Sequence, residues 1–157
     1  IDALFFSAKV ARTPYLTPAG PEAFAAAVAP ATTESGGLVT VTATVDDTRF
    51  STRNGTEPSQ TIASAEAFIG SPWQPGATSI PMAASDGTFD GVVEAVEAVL
   101  DTADLPVGRH LVYVRATDTA GNTGVVSAAF LEIVGSPLIF EDGFESGDAS
   151  AWDVARP

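Results

Sequence analysis

From Glu22 onward, apolar and polar positions change places every second residue, the period of a β-strand with one face turned to a core. The run from Leu38 to Val45 is the clearest case. Val39, Val41, Ala43 and Val45 fall on one side of it, and Thr40, Thr42 and Thr44 on the other. The same alternation predicts strands over Ile62–Ile69, a stretch through Ile80 and Met82, residues 109–117 and Val125–Val134, and the uninterrupted apolar run Phe24–Val28 reads as a first strand with a weaker pattern. Turn formers separate them: Glu34-Ser35-Gly36-Gly37, Ser71-Pro72-Trp73-Gln74-Pro75-Gly76, Asp86-Gly87-Thr88-Phe89-Asp90-Gly91, Leu105-Pro106-Val107-Gly108 and Asp118-Thr119-Ala120-Gly121-Asn122. A polar loop from Asp46 to Gln60 interrupts the series.

Val92–Leu100 fits two periods. Val92, Val96, Val99 and Leu100 suit a helix face, whereas Val92, Val96, Ala98 and Leu100 suit the inward side of a strand interrupted at Glu94. Turns on both sides favour the strand. Seven strands at this spacing predict an all-β fold, a seven-stranded immunoglobulin-like β-sandwich over residues 22–134. With no cysteine to bridge the sheets, Trp73, Phe68, Tyr113 and Phe130 are the expected large core residues.

The two ends follow other patterns. In residues 1–21, apolar positions 3, 4, 6, 8, 10 and 11 with Asp2 early and Lys9 and Arg12 late predict a short N-terminal helix over 3–12. Pro14, Pro18 and Pro21 then make an extended linker. A lone apolar helix needs a surface to bury its face, and the expected one is a preceding domain. Residues 135–157, with Leu138-Ile139-Phe140, Glu141-Asp142-Gly143-Phe144-Glu145-Ser146-Gly147-Asp148 and Trp152, read as an acidic C-terminal tail with aromatic anchors.

Composition narrows the function. The chain has one histidine, His110, and no cysteine, so a Cys-His nucleophile system lacks its thiol, and a zinc hydrolase site or a Ser-His system would rest on His110 alone. His110 stands in an alternating strand and reads as a wall residue. Twenty Asp and Glu against seven Lys and Arg give a net charge of −13, which repels phosphate backbones and anionic membranes. No nucleic-acid partner is expected, nor a membrane span, since no run reaches ~18–20 apolar residues. No basic-then-apolar leader begins at Ile1, so any export signal is expected upstream.

Several of these stretches share a family likeness. Ala8-Lys9-Val10-Ala11-Arg12-Thr13-Pro14-Tyr15, Val45-Asp46-Asp47-Thr48-Arg49-Phe50 with Asn54-Gly55-Thr56-Glu57-Pro58-Ser59-Gln60, and Leu105-Pro106-Val107-Gly108-Arg109-His110 with Val114-Arg115-Ala116-Thr117-Asp118-Thr119-Ala120-Gly121-Asn122 resemble the region after the catalytic domain of secreted bacterial zinc carboxypeptidases of the M14 type. The resemblance implies that residues 3–12 are the last helix of that catalytic domain, which would be this chain's partner within one polypeptide. It also implies a secreted or cell-surface location. The family's zinc pair, its later zinc histidine, its substrate-binding arginines and its general-base glutamate match no position here. An enzyme is implied for the parent protein, and no active site and no zinc for this chain. The Glu141–Asp148 stretch through Trp152 is similar to tails of diverse exported bacterial proteins.

A sandwich of seven strands would gather three loops at one pole. They carry Asp46, Asp47, Asn54 and Glu57, then Asp86 and Asp90, then Asp118 and Asn122. Ca²⁺ takes about six to eight oxygen ligands of this kind, so these residues are the candidate metal site, with Asp118 first among them. The same side chains are also ordinary turn formers, and Arg49, Arg53 or Arg115 could neutralise them. The expectation is a monomeric noncatalytic accessory domain that stabilises an exported carboxypeptidase or anchors it to substrate or cell surface. The alternatives are a carbohydrate- or wall-binding module, which requires exposed aromatics on one sheet face, and a structural spacer of a surface protein. A hydrolase built on carboxylates alone is the remaining reading.

Overall fold

A computed structural model describes residues 19–49, 57–75 and 77–135. The helix expected over 3–12, Asn54, Arg53 and the acidic tail from Ser136 lie outside the described residues. Among those described there is no helix, and so none long and apolar enough to cross a membrane.

Eight strands follow in order: β1 (Glu22–Ala29), β2 (Thr32–Glu34), β3 (Leu38–Asp46), β4 (Ile62–Ile69), β5 (Ser79–Ala84), β6 (Val93–Asp101), β7 (Gly108–Asp118) and β8 (Ser127–Val134). They are hydrogen-bonded in the order β1-β3-β6-β5-β4-β7-β8-β2. All neighbours are antiparallel except β2, which runs parallel to β8. Strand β5 pairs with β4 through Ser79–Met82 and with β6 through Ala83 and Ala84, so it carries the ladder from one half to the other. The ends of the ladder approach each other where Ala23 N donates to Val125 O at 2.9 Å and Ala26 N to Ser127 Oγ at 3.3 Å. The result is a mixed eight-stranded sheet nearly closed into a barrel.

This differs from the seven strands read from the sequence. The additional strand, Thr32–Glu34, has no buried apolar side chain and owes its existence to β8, a partner about a hundred positions away. Alternation cannot reveal such a strand. A bulge in β1 lets the chain reach both partners: the register to β3 shifts between Phe24 and Ala27, and Ala25 adopts φ 52°.

The core is aliphatic and small. Val39, Val41, Ala43 and Val45 of β3 face inward, as do Val96 and Leu100 of β6, Ala65 and Ala67 of β4, Val112, Val114 and Ala116 of β7, and Leu131 and Ile133 of β8. The stretch read two ways is a strand from Val93 to Asp101, with Val92 exposed in the bend before it, and Glu94 does not interrupt it. Glu94 takes the inward register opposite Val45 and is buried because its carboxylate accepts Asp90 N at 3.0 Å and Gly91 N at 2.6 Å from the turn before it.

The aromatic expectation needs correcting. Phe68 is buried, Tyr113 is half-buried, but Trp73 is 67% exposed and Phe130 59% exposed. Parity explains it: Phe130 pairs with Leu111, and Tyr113 with Phe68 and Ala128, in the register that alternates with the core positions. Phe68 is buried on that outer side beneath the Arg115 guanidinium, 4.7 Å from its ring centre, and stands apart from the inner cluster.

The chain enters β1 through a close crossing. A Cβ built on Gly124 would overlap the Pro21 carbonyl, and one on Gly20 would overlap the Thr123 backbone. Gly124→Ala is therefore expected to lower stability by about 1–3 kcal/mol, the range for inserting a methyl into packed space. Gly135→Ala, whose nearest neighbour would be an ordinary 3.9 Å away, should change it by less than about 0.5 kcal/mol. Urea unfolding of both variants checks the difference.

Candidate functional site

The loops β3–β4, β5–β6 and β7–β8 meet at one end of the fold. Backbone bonds join them: Asp47 N donates to Val92 O and Ile62 N to Gly91 O, each at 2.9 Å, and Thr119 N donates to Thr61 O at 2.9 Å. The acidic pole expected from the sequence therefore forms in part, around Asp46, Asp47, Glu57 and Asp118.

Asp118 is its centre. The residue is 1% exposed, and its carboxylate accepts Ala120 N and Asn122 N on Oδ1 and Asn122 Nδ2 on Oδ2, all at 2.8 Å. Asp118 N donates in return to Asn122 O at 3.1 Å. The spacing of Asp118 and Asn122 thus closes a turn on itself. Asp46 Oδ1 accepts Thr48 N at 2.7 Å and Thr48 Oγ1 at 2.6 Å, the side-chain-to-backbone turn that Asp favours. Asp47, also buried, accepts Gln60 N, and Glu57 accepts Ala19 N.

Asp86 and Asp90 are exposed on the adjoining loop, where Asp86 Oδ1 accepts Thr88 N at 3.2 Å. Neither contributes to the charge that acts on Asp47. Of the arginines named for this pole, the two described pair with other acids, Arg49 with Glu22 at 2.8 Å and Arg115 with Glu66 at 3.0 Å, and Arg53 lies outside the described residues. Backbone N–H groups bond the carboxylates of Asp46, Asp47, Glu57 and Asp118. Among the described residues no group of three or more His, Asp or Glu is placed to hold a metal ion.

Burial pushes the Asp47 carboxyl above its ordinary value of 3.8; the Gln60 N–H opposes the rise, and the charges of Asp118, Glu57 and Asp46 add to it. A carboxyl raised on folding binds more protons folded than unfolded between 3.8 and its folded value, so stability falls as pH rises through that window. Asp47→Asn keeps an acceptor for Gln60 N and removes the charge. It is expected to be more stable than the parent at pH 7, with the advantage vanishing as pH falls toward 3.8, as thermal unfolding across pH will show.

His110 sits at the far end of β7, where Nε2 lies 2.7 Å from Pro106 O. A carbonyl only accepts, so Nε2 carries the proton and the ring ties the β6–β7 loop to the strand. An open depression of about 420 Å³ lies on the outside of β3, β5 and β6, lined by Thr40, Pro81, Ala83, Glu97, Ala98 and Val99. Glu97 is its one ionisable lining residue, whereas carboxylate-based glycoside hydrolysis works with a pair.

A second surface bears on the carbohydrate-binding alternative, for which the sequence offers Trp73, Phe50 and Tyr113, Phe50 lying outside the described residues. On the outside of β4, β7 and β8, Trp73 meets Tyr113 edge to face, with ring centres 6.0 Å apart and planes at 72°. Arg109 lies over Phe130 at 5.2 Å and reaches Glu132 at 3.4 Å. Leu111 is 37% exposed between them in register with Phe130. The signal was present in the sequence, since Arg109, Leu111, Tyr113 and Arg115 alternate with Val112, Val114 and Ala116 and so cannot share their face.

If the pole is a turn scaffold, Asp118→Ala removes charged acceptors from buried donors and is expected to cost about 1.5–3 kcal/mol. The loss should be equal in chelator and in millimolar Ca²⁺. A calcium-dependent rise in the parent's unfolding midpoint that the variant lacks would instead make Asp118 a ligand.

No family model matches the chain, and no curated protein matches it. Among solved structures, the Pseudomonas fluorescens alkylpurine DNA glycosylase AlkC bound to DNA containing an abasic site analog is 18% identical, over 73% of this chain and 30% of that one, with a TM-score of 0.47. The endo-β-1,4-mannanase from Thermotoga petrophila is 16% identical over 67% of this chain and 17% of that one, with a TM-score of 0.39. The chain spans less than a third of either protein.

Proposed function

We propose that the chain is a noncatalytic accessory module of an exported enzyme, the M14-type zinc carboxypeptidase that its sequence resembles, and that it steadies that enzyme or holds it at a substrate or cell surface. The observation that carries this reading is the use made of the polar side chains. Asp46, Asp47, Glu94, Asp118 and His110 each bond to backbone groups of turns or loops. Groups engaged in this way shape a scaffold, whereas a general acid or base needs a proton path to a substrate.

The finer description of the fold belongs to the same proposal. Strands β1, β3, β6 and β5 correspond to one sheet of an immunoglobulin-like sandwich, and β4, β7 and β8 with the short β2 to the other. The connection order and a single core shared by both halves support it. Strand β5, bonded to both halves, is the crossing point.

The pure chain is expected to release no C-terminal amino acid from peptides, with or without added Zn²⁺. Metal-dependent release would overturn the reading. Appended to the carboxypeptidase encoded upstream, the module should raise that enzyme's thermal midpoint or its retention on the cell envelope, and truncation after residue 18 of this numbering should remove both effects.

A further inference from the structure

We propose that the outer face of β4, β7 and β8 docks an uncharged polysaccharide, with Trp73, Tyr113 and Phe130 as its aromatic contacts. The proposal rests on the accessory-module reading and names the surface by which such a module would hold a polymer.

The face is built by register. Arg109, Leu111, Tyr113 and Arg115 project from β7 away from the core; Glu132 and Phe130 of β8 lie beside Arg109 and Leu111, and Glu66 and Phe68 of β4 beside Arg115 and Tyr113. Trp73 is added from the β4–β5 turn, which is closed by Gln74 N to Ser71 O at 3.2 Å and Ala77 N to Gln74 O at 3.1 Å. Trp73 is two-thirds exposed and packs edge to face on the Tyr113 ring. A side chain held by such a contact before binding loses less freedom when a ligand covers it.

Charge selects the occupant. The chain carries −13 overall, but on this face the acids are cancelled in place, Glu66 by Arg115 and Glu132 by Arg109. Strand β4 runs from the acidic pole at Ile62 to the Trp73 turn after Ile69, eight residues or about 23 Å. That distance exceeds the screening length of about 8 Å at physiological salt. A cationic partner is drawn to the pole, a polyanion is repelled by the whole molecule, and a second copy brings the same net charge. An uncharged ligand complements a neutral face. Sugar rings present apolar C–H surfaces to aromatic rings, while their hydroxyls accept from guanidinium and donate to carboxylate, and this face supplies both kinds of group side by side.

The test is retention of the whole chain on microcrystalline cellulose and on chitin, with soluble polygalacturonate as the anionic comparison and release of reducing ends followed in the same tubes. Retention on a neutral polymer that raised salt leaves unchanged, and that Trp73→Ala weakens by about tenfold or more, the scale of losing a central aromatic anchor, supports the proposal. Val99→Ala, on the opposite sheet and 62% exposed, should bind as the parent does. No retention on either neutral polymer overturns the proposal, as does equal loss in Trp73→Ala and Val99→Ala. So does a concentration-dependent dimer that Trp73→Ala abolishes, which would make the face a contact between copies. Reducing ends released along with Trp73-dependent retention would support the docking face and overturn the noncatalytic reading, so the two fail separately.

Discussion

Where the strands of this fold end at the loop pole, backbone N–H groups lose their ladder partners, and buried carboxylates accept them. Asp118 takes two N–H groups of its own turn, Glu94 takes those of Asp90 and Gly91, and Asp47 takes Gln60 N. The exchange works in both directions. An ionised carboxylate withdrawn from water is costly unless several donors surround it, and an N–H buried without an acceptor is costly as well. Each group offsets part of the other's penalty, and at Asp47, with Gln60 N as donor, burial still prevails. Because Gly91 O and Val92 O then bond to Ile62 and Asp47, the turn closed by Glu94 also fixes the start of β4 and the end of β3. The two halves of the sheet are thereby set against each other at one end.

The interior complements this arrangement by being small. Valine and alanine supply most of the inner face, so the halves approach without large side chains between them. An aromatic ring placed in the inward register would force them apart, and close-packed interiors resist that by about 1–3 kcal/mol for even modest overpacking. Trp73, Tyr113 and Phe130 consequently lie outside, and Phe68 is sheltered there by Arg115 rather than by the core. The apolar area that folding leaves on the outer face is a result of how the inner face packs.

Much of this was legible from local pattern. The four inward residues of β3, both boundaries of β4 and the end of β8 follow from alternation, although β8 begins at Ser127 and not at Val125, and the Asp118–Asn122 turn follows from residue type. What pattern missed depends on distant partners. Thr32–Glu34 has no periodic signal and becomes a strand only against Glu132–Val134. Glu94 looked like an interruption because its charge was judged against the strand alone, when its acceptors serve the preceding turn. The aromatic residues were assigned to the core by size, although parity in 109–117 already separated Tyr113 from Val112 and Val114. At the acidic pole, residue type indicated carboxylates in proximity, but only hydrogen-bond direction shows them accepting from the backbone.

The placement of these features suggests a division of labour along the strands. The residues that lead into β1 arrive at the acidic pole, where Glu57 accepts Ala19 N and Gly20 crosses Gly124 so closely that no side chain fits. Ala19, the first described residue, thus lies at that end. Strand β4 carries the chain to the opposite end, where Trp73 sits, and β7 starts there with Arg109 and returns to the pole at Asp118. A ligand on the outer face at that end would leave the acidic pole uncovered. Under the accessory-module reading proposed above, separation of this kind would let contacts at the two ends be made at once, and the gain in effective concentration depends on that simultaneity.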